Sequence, residues 1–337
     1  MEKYWDSFVN GYNYYQYLIK EISFQSDPLW KNYFWMLILV SAFFFLLEIF
    51  RPWRADQPRF RKDFWLDFFY MFFNFFLFSL IIYNAASDVI VNLFNDGIMA
   101  ITSFDLQASN PMRNWPFWAV LLTGFFVRDF VQWWVHRLLH RSEFLWEFHK
   151  VHHSVEQMGF AAHLRYHWME NVVYRSLEYI PLALLGIGLY DFFLIHIFTL
   201  AWGHYNHANI RVSGRITGAL VFGFIALLIG INYSSWGALG IAGISLGGLA
   251  FGALLAGPFM KYLFNSPEMH IWHHSYELPE ERKYGVNFGL TLAIWDYLWK
   301  TNYIPHDGRD IKLGFPGIEK YPKSFIEQNT HGFRMKN

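Results

Sequence analysis

Long apolar runs separated by short polar stretches dominate the first three quarters of the chain. Tyr33–Phe50 is apolar apart from Glu48 near its end, and residues 66–83 form a second such run. Residues 117–135 form a third, with Arg128 and Asp129 inside it. Residues 177–202 are apolar but broken by Pro181, Gly186 and Gly188. Residues 219–232 and 237–256 make a late pair around Tyr233-Ser234-Ser235-Trp236. A spanning helix needs roughly 20 mostly apolar residues. The pattern therefore predicts an all-α fold, a multi-pass transmembrane helical bundle. The glycines of the last run suit close helix packing. From Lys261 onward the chain has the character of a water-exposed segment, and no internal repeat is visible.

Charge gives the bundle an orientation. The loop over residues 51–63 holds Arg51, Arg54, Arg59, Arg61 and Lys62 against Asp56 and Asp63. Basic loops stay cytoplasmic, so the first helix is expected to run inward and the second outward. Residues 84–116 then form an outer loop, and the third helix delivers His136 to the cytoplasmic face. The broken run over 177–202 is expected to dip in and return, as is the late pair. The expected location is an integral, multi-pass one in a bacterial inner membrane or endoplasmic reticulum.

Composition agrees. Hydrophobic residues make up 54% and charged residues 16%, against ~25% charged in typical soluble domains. Aromatic residues reach 22%, and membranes accommodate Trp and Tyr at their interfaces. The 27 basic and 27 acidic residues balance, so no nucleic-acid partner is expected. The absence of Cys excludes disulfides, Fe–S clusters, thiolate haem, Cys-based zinc sites and a Cys nucleophile. The first 32 residues lack the pattern of a cleavable signal, so insertion is expected to rest on the internal runs.

Histidine carries the chemistry. Eight of 15 His fall in three groups: His136 and His140; His149, His152 and His153; His270, His273 and His274. Spacings of three and four place side chains on one helix face. An i, i+4 pair can chelate one ion, and an i, i+3, i+4 trio can serve two neighbouring ions. On a single helix His149, His152 and His153 would lie at about 220°, 160° and 260° from His136, away from the first pair. The chain must therefore turn near residues 141–145. So many imidazoles exceed what one tetrahedral zinc needs, and neutral imidazole suits Zn, Fe, Cu and Ni. Two metals with open positions at a membrane surface fit oxygen activation, and two-metal hydrolysis is the chemical rival. A haem carrier is disfavoured because the clusters flank the apolar runs instead of centring in them.

Asp129-Phe-Val-Gln-Trp-Trp-Val-His136-Arg-Leu-Leu-His140, His149-Lys-Val-His152-His153 and His270-Ile-Trp-His273-His274, taken as a set, resemble the fatty acid hydroxylase/sterol desaturase superfamily. Arg165-Tyr-His-Trp-Met-Glu170, His207-Ala-Asn209-Ile, Asn287-Phe-Gly289 and Trp295-Asp296-Tyr-Leu-Trp-Lys-Thr301 add to the likeness. The resemblance implies an integral-membrane oxidoreductase with two Fe ions (a di-iron centre) and O2 as co-substrate. It implies hydroxylation or desaturation of a C–H bond in a fatty acyl, alkyl or sterol-like lipid. Electrons are expected from a separate donor (a cytochrome, a ferredoxin or a reduced pterin), since no such module is visible in the sequence. It also implies further ligands beyond the three groups, for which His204 and His207 are the candidates, with His163 and His167 behind them. Asp129, seven residues before His136 and on its face, is expected to fix the tautomer of an imidazole. Glu170 and Asp296 are expected in similar supporting parts, and Asn209 orients a ligand or water. The expected organisation is an N-terminal segment over 1–116, a catalytic domain over 117–305 with an apolar insertion near 216–259, and a tail over 306–337. Two departures stand out: that insertion, and Lys300 where a Gly is usual. A zinc-dependent membrane hydrolase using the same histidines is the alternative.

Overall fold

The computed structural model describes residues 2–25, 32–74, 84–105, 110–187, 189–233 and 237–333. The regular elements among the described residues are all helices, with only isolated bridges such as Pro52 to Ile210 in place of strands. The helices are α1 (Glu2–Ile22), α2 (Tyr33–Phe50), α3 (Phe64–Phe72), α4 (Asn84–Thr102), α5 (Phe117–Arg141), α6 (Glu143–His153), α7 (Trp168–Leu184) and α8 (Leu189–His207). They are followed by α9 (Gly214–Tyr233), α10 (Gly237–Phe251), α11 (Met260–Leu263), α12 (Pro267–His273), α13 (Ile294–Leu298) and α14 (Phe325–His331).

Two helices stand where no helix is expected. α1 occupies the polar and aromatic start, and α4 occupies much of the expected outer loop over 84–116. They hold each other through polar contacts that hydropathy does not register. Lys3 Nζ lies 2.8 Å from Asp96, Tyr4 donates to Asp96 at 2.7 Å, and Asn92 donates to Ser7 at 3.0 Å. Part of the second apolar run, residues 75–83, lies outside the described residues, as do Gly188 and Ser234–Trp236 of the late turn. α10 runs on through α11 as one apolar helix, Gly237–Leu263, and among the described residues it alone is long and apolar enough to cross a membrane. It packs tightly on α9: a Cβ at Gly252 would lie 2.0 Å from the Gly218 carbonyl oxygen. Only glycine permits that approach.

The chain breaks at Ser142, which ends α5 in extended geometry and starts α6 by accepting a hydrogen bond from Leu145 N at 3.3 Å. Ser favours such a cap because its hydroxyl satisfies an orphan amide. α7 and α8 part at Gly186, where φ is +74°. The residues after α12 fold back over the site. Asn287 Nδ2 donates to the Met269 and Tyr303 carbonyls at 2.8 and 2.7 Å. Lys300 keeps the glycine-type backbone, with φ +57°. The expected tail is packed as well: Tyr70 donates to Gln328 at 3.0 Å, and Phe325 sits against Phe69 and Tyr70.

Candidate metal centre

Nine imidazoles converge between the ends of α5, α6, α8 and α12. They form two groups: His136, His140, His149, His153 and His273; and His152, His207, His270 and His274. Within each group the ligand atoms lie within 4.8 Å of one another. Both i, i+3, i+4 trios are divided, and in opposite senses. α6 gives its i, i+4 pair, His149 and His153, to the first group and His152 to the second. The trio at α12 gives its pair, His270 and His274, to the second and His273 to the first. The helix accounts for this division: residues four apart sit about 40° apart, while the third member is turned about 60° to the other side.

The second nitrogen of most of these rings is tied down. His136 Nδ1 faces the Phe288 carbonyl at 2.8 Å, His152 Nδ1 the Arg165 carbonyl at 3.0 Å, His207 Nδ1 the Gly203 carbonyl at 2.8 Å and His273 Nδ1 the Val286 carbonyl at 2.8 Å. A carbonyl only accepts, so each Nδ1 carries the proton and each Nε2 is left as a bare lone pair. The Nε2 atoms of His152 and His207 nevertheless face each other at 3.3 Å. His207 to His270 is 3.0 Å, His270 to His274 is 3.2 Å and His153 to His273 is 3.1 Å. For His152 and His207 both facing lone pairs are bare, and two bare lone pairs repel at that range unless a cation lies between them. Tetrahedral nitrogens at ~2.0–2.1 Å from one ion are about 3.3 Å apart. His140 Nε2 and His149 Nε2 are buried without a hydrogen-bond partner. The donor set fits two transition-metal ions.

Burial prepares these rings for metal. It pushes His136 down to about 3 and His152 to about 4, and the other seven well below the ordinary imidazole range. They are therefore neutral at pH 7, the form that ligates. Glu170 faces His149 Nδ1 at 2.7 Å. Burial pushes its carboxyl well above the usual range, and the hydrogen bond donated by the His167 amide opposes that. Glu170→Gln is expected to lower metal affinity about 10–100-fold, measured by competition with a chelator.

The other candidate residues act at a distance from the two groups. His204 is in neither group: its Nδ1 meets His163 Nδ1 at 3.0 Å and its Nε2 meets Ser41 Oγ at 3.0 Å. His163 fits there only because residue 203 is Gly, since a Cβ would lie 2.1 Å from the His163 ring. His167 turns to the Asn329 carbonyl at 2.8 Å.

Asp129 has partners other than the expected imidazole. It accepts from Thr291 N and Leu292 N, each at 3.2 Å, and from Trp295 Nε1 at 2.8 Å. It thus pins the C-terminal segment to α5. Asp129→Asn turns an amide N–H toward those donors, and the expected result is less folded protein with near-normal turnover per bound metal. Asp296 holds the Phe288 and Gly289 amides at 2.9 and 2.8 Å, and so positions the carbonyl that orients His136. Asn209 clamps the basic loop to the end of α8, accepting from Arg54 N at 2.9 Å. It contacts no imidazole of either group.

A cavity of ≈ 120 Å³ opens beside the groups, lined by His136 and His207 and by Gln132, Asn171, Glu178 and Asn206. The sequence reading gave these last four no role. A signal for part of this wall was present: Arg128, Gln132, His136 and His140 recur every four residues, a polar stripe along an apolar helix, and such a stripe marks a functional path in a membrane protein.

The fatty acid hydroxylase family model matches residues 121–222. That span covers most of α5, all of α6, α7 and α8, the start of α9, and four of the five members of the first histidine group. The ornithine lipid hydroxylase OlsE of Rhizobium tropici is 28% identical over 222 residues, covering 66% of this chain and 53% of that protein. The matched segment therefore spans about half the length of this relative. No solved structure matches.

Proposed function

The chain belongs to the fatty acid hydroxylase superfamily, and from that premise we propose that it is a membrane-bound, O2-dependent hydroxylase of a lipid. Its two histidine groups hold two irons. The observation that carries this reading is the opposed Nε2 atoms of His152 and His207, 3.3 Å apart while both Nδ1 atoms are committed to carbonyls. Two bound irons supply the oxygen-activating chemistry that an unactivated C–H bond requires. The five-histidine group exceeds the four ligands of a structural zinc site. That favours iron over the zinc hydrolase.

The chain's own residues orient and exclude. The Phe288, Val286, Arg165 and Gly203 carbonyls and the Glu170 carboxylate fix the tautomers of five ligands. Asp296 and Asn287 hold the loop from which two of those carbonyls come. Leu164, Leu200 and Leu290 line the cavity beside the histidine groups, and such apolar lining keeps water from the reacting carbon. Converting R–H and O2 to R–OH and water consumes two electrons and two protons, delivered by a separate reduced cytochrome, ferredoxin or pterin. The relative's name places ornithine lipids among the substrates to try.

The apolar helices span the membrane several times, with the histidine groups on the cytoplasmic side. Tags in the basic loop over 51–63 and at the C-terminus are expected to report the same, cytoplasmic, face. Opposite faces would contradict the arrangement.

Lipid mass spectrometry of cells with and without the gene tests the activity. An O2-dependent gain of 16 mass units in one lipid class is expected. A loss of 2 would signal desaturation, and an unchanged lipid profile would overturn the proposal.

A further inference from the structure

Along α5 every fourth residue from Trp118 is large and apolar: Trp118, Leu122, Phe126, Phe130, Trp134 and Leu138. All of them are exposed except the half-buried Phe130. Arg137 and Arg141 lie within about 60° of Trp134 around the helix. Arg137 comes 19 residues after Trp118, which is ~28 Å at 1.5 Å per residue. The hydrocarbon core of a bilayer is ~30 Å thick. With Trp118 at the outer interface, Arg137 therefore reaches the cytoplasmic headgroups.

α13 packs against the last turns of this strip. Trp295 stacks its edge on Phe130 at 5.0 Å between ring centroids, and Trp299 meets Phe130 and Trp133 at 5.5 and 5.1 Å. The same short helix hangs from the end of the membrane-length helix Gly237–Leu263. Ala293 N donates to the Leu263 carbonyl at 2.9 Å, and the Tyr297 ring meets Tyr262 at 5.2 Å. Leu298 and Trp299 are nevertheless 62% and 43% exposed. Composition reads this segment as water-exposed. Tertiary contacts bring it to the depth where two membrane helices end.

The charge on this face has one sign. Arg141, Lys261 and Lys300 are exposed and Arg137 is half-buried. Residues 130–141, 260–264 and 291–300 contain a single carboxylate, Asp296, which is fully buried and engaged by its own donors. Glu143 follows only after the chain has turned into α6. Lys300 holds φ +57°, a conformation that penalises residues other than glycine, so a lysine there gives up stability for its charge. Aromatic rings settle at headgroup level, and cations beside them attract anionic lipid. An acidic protein would also match the charge, but it would have to cover Trp134 and Leu138, which continue the lipid-facing strip.

We infer that α13, with the adjoining ends of α5 and α11, lies in the cytoplasmic leaflet and binds anionic phospholipid headgroups through Arg137, Arg141, Lys261 and Lys300. The inference rests on the membrane-bound part of the reading above and goes beyond it, since α13 has only five residues and does not span.

The chain contains no Cys, so one introduced thiol takes a spin label alone. Leu298→Cys carries the label, and Lys320→Cys, at an exposed residue outside the patch, serves as the water reference. Full-length protein is placed in vesicles of equimolar phosphatidylcholine and phosphatidylglycerol and floated on a gradient. The label at 298 is expected to meet O2 more readily than a neutral, water-soluble nickel chelate, and the label at 320 the reverse. Phospholipid kept by the unlabelled protein after detergent extraction and gel filtration is expected to be enriched in phosphatidylglycerol. Lys261→Gln and Lys300→Gly are each expected to lower that enrichment about fivefold. Glycine adopts the backbone of residue 300 freely, so Lys300→Gly removes the charge without straining the fold. Equal nickel access at 298 and 320 leaves the face in water, as a protein dock would be, and overturns the inference. So does equal retention of the two phospholipids by the wild type, or an enrichment unchanged in both variants. Protein that floats with the vesicles while its label at 298 stays in water keeps the membrane-bound reading and loses only the interfacial one. Protein that does not float loses the membrane-bound reading, and this inference with it.

Discussion

His273→Ala and His152→Ala are each expected to release metal and abolish hydroxylation, with losses beyond the ~10–100-fold typical of removing a supporting partner. His273 is the member of the five-histidine group that comes from α12, and its Nε2 lies 3.1 Å from that of His153. His152 is the member of the four-histidine group that comes from α6. Each variant therefore depletes a different ion. If the two ions load independently, each variant keeps about half the metal and neither keeps activity. Metal analysis of the purified variants, beside a hydroxylation assay, checks both halves. Full activity in either variant would remove that histidine from the centre.

Asp296→Ala carries the second large effect, and it falls first on the fold. Asp296 accepts from four donors, three of them buried: Phe288 N, Gly289 N and Trp133 Nε1 at 3.0 Å, with the half-buried Thr301 Oγ1 at 2.6 Å. A buried donor left without a partner costs about 1–3 kcal/mol. With partial relaxation the total is roughly 3–5 kcal/mol, at the severe end for one substitution. The loop it holds carries the Phe288 carbonyl, so His136 should lose its orientation as well. A lowered unfolding midpoint together with lowered metal content is the expected pair of results. A wild-type midpoint would show that the four contacts contribute little.

Local spacing made the helices of the site legible. The i, i+3 and i, i+4 histidines belong to helices, and the angles around a helix required a turn before His149, which Ser142 provides. The same periodicity allows a trio to serve two ions, which is how His149, His152 and His153 are divided. What the sequence did not carry is partnership across the chain. Nothing near Asp129 points to Trp295, which lies 166 residues away. Likewise nothing near His204 points to Ser41, which lies 163 residues away. Its i, i+3 spacing to His207 is ligand-like, yet the two rings on α8 take different company. α1 and α4 escaped notice because polar pairs such as Lys3 and Asp96 join them. Gln132 and Asn206 read as ordinary polar residues until both are seen lining one cavity.

Metal content tests the central claim most directly. The full chain, purified from cells grown with ample iron, is measured by elemental analysis against protein concentration. Two irons per chain are predicted, falling in both His152→Ala and His273→Ala. One ion per chain or none, or a content unchanged by both substitutions, would contradict a two-ion centre built from the two histidine groups.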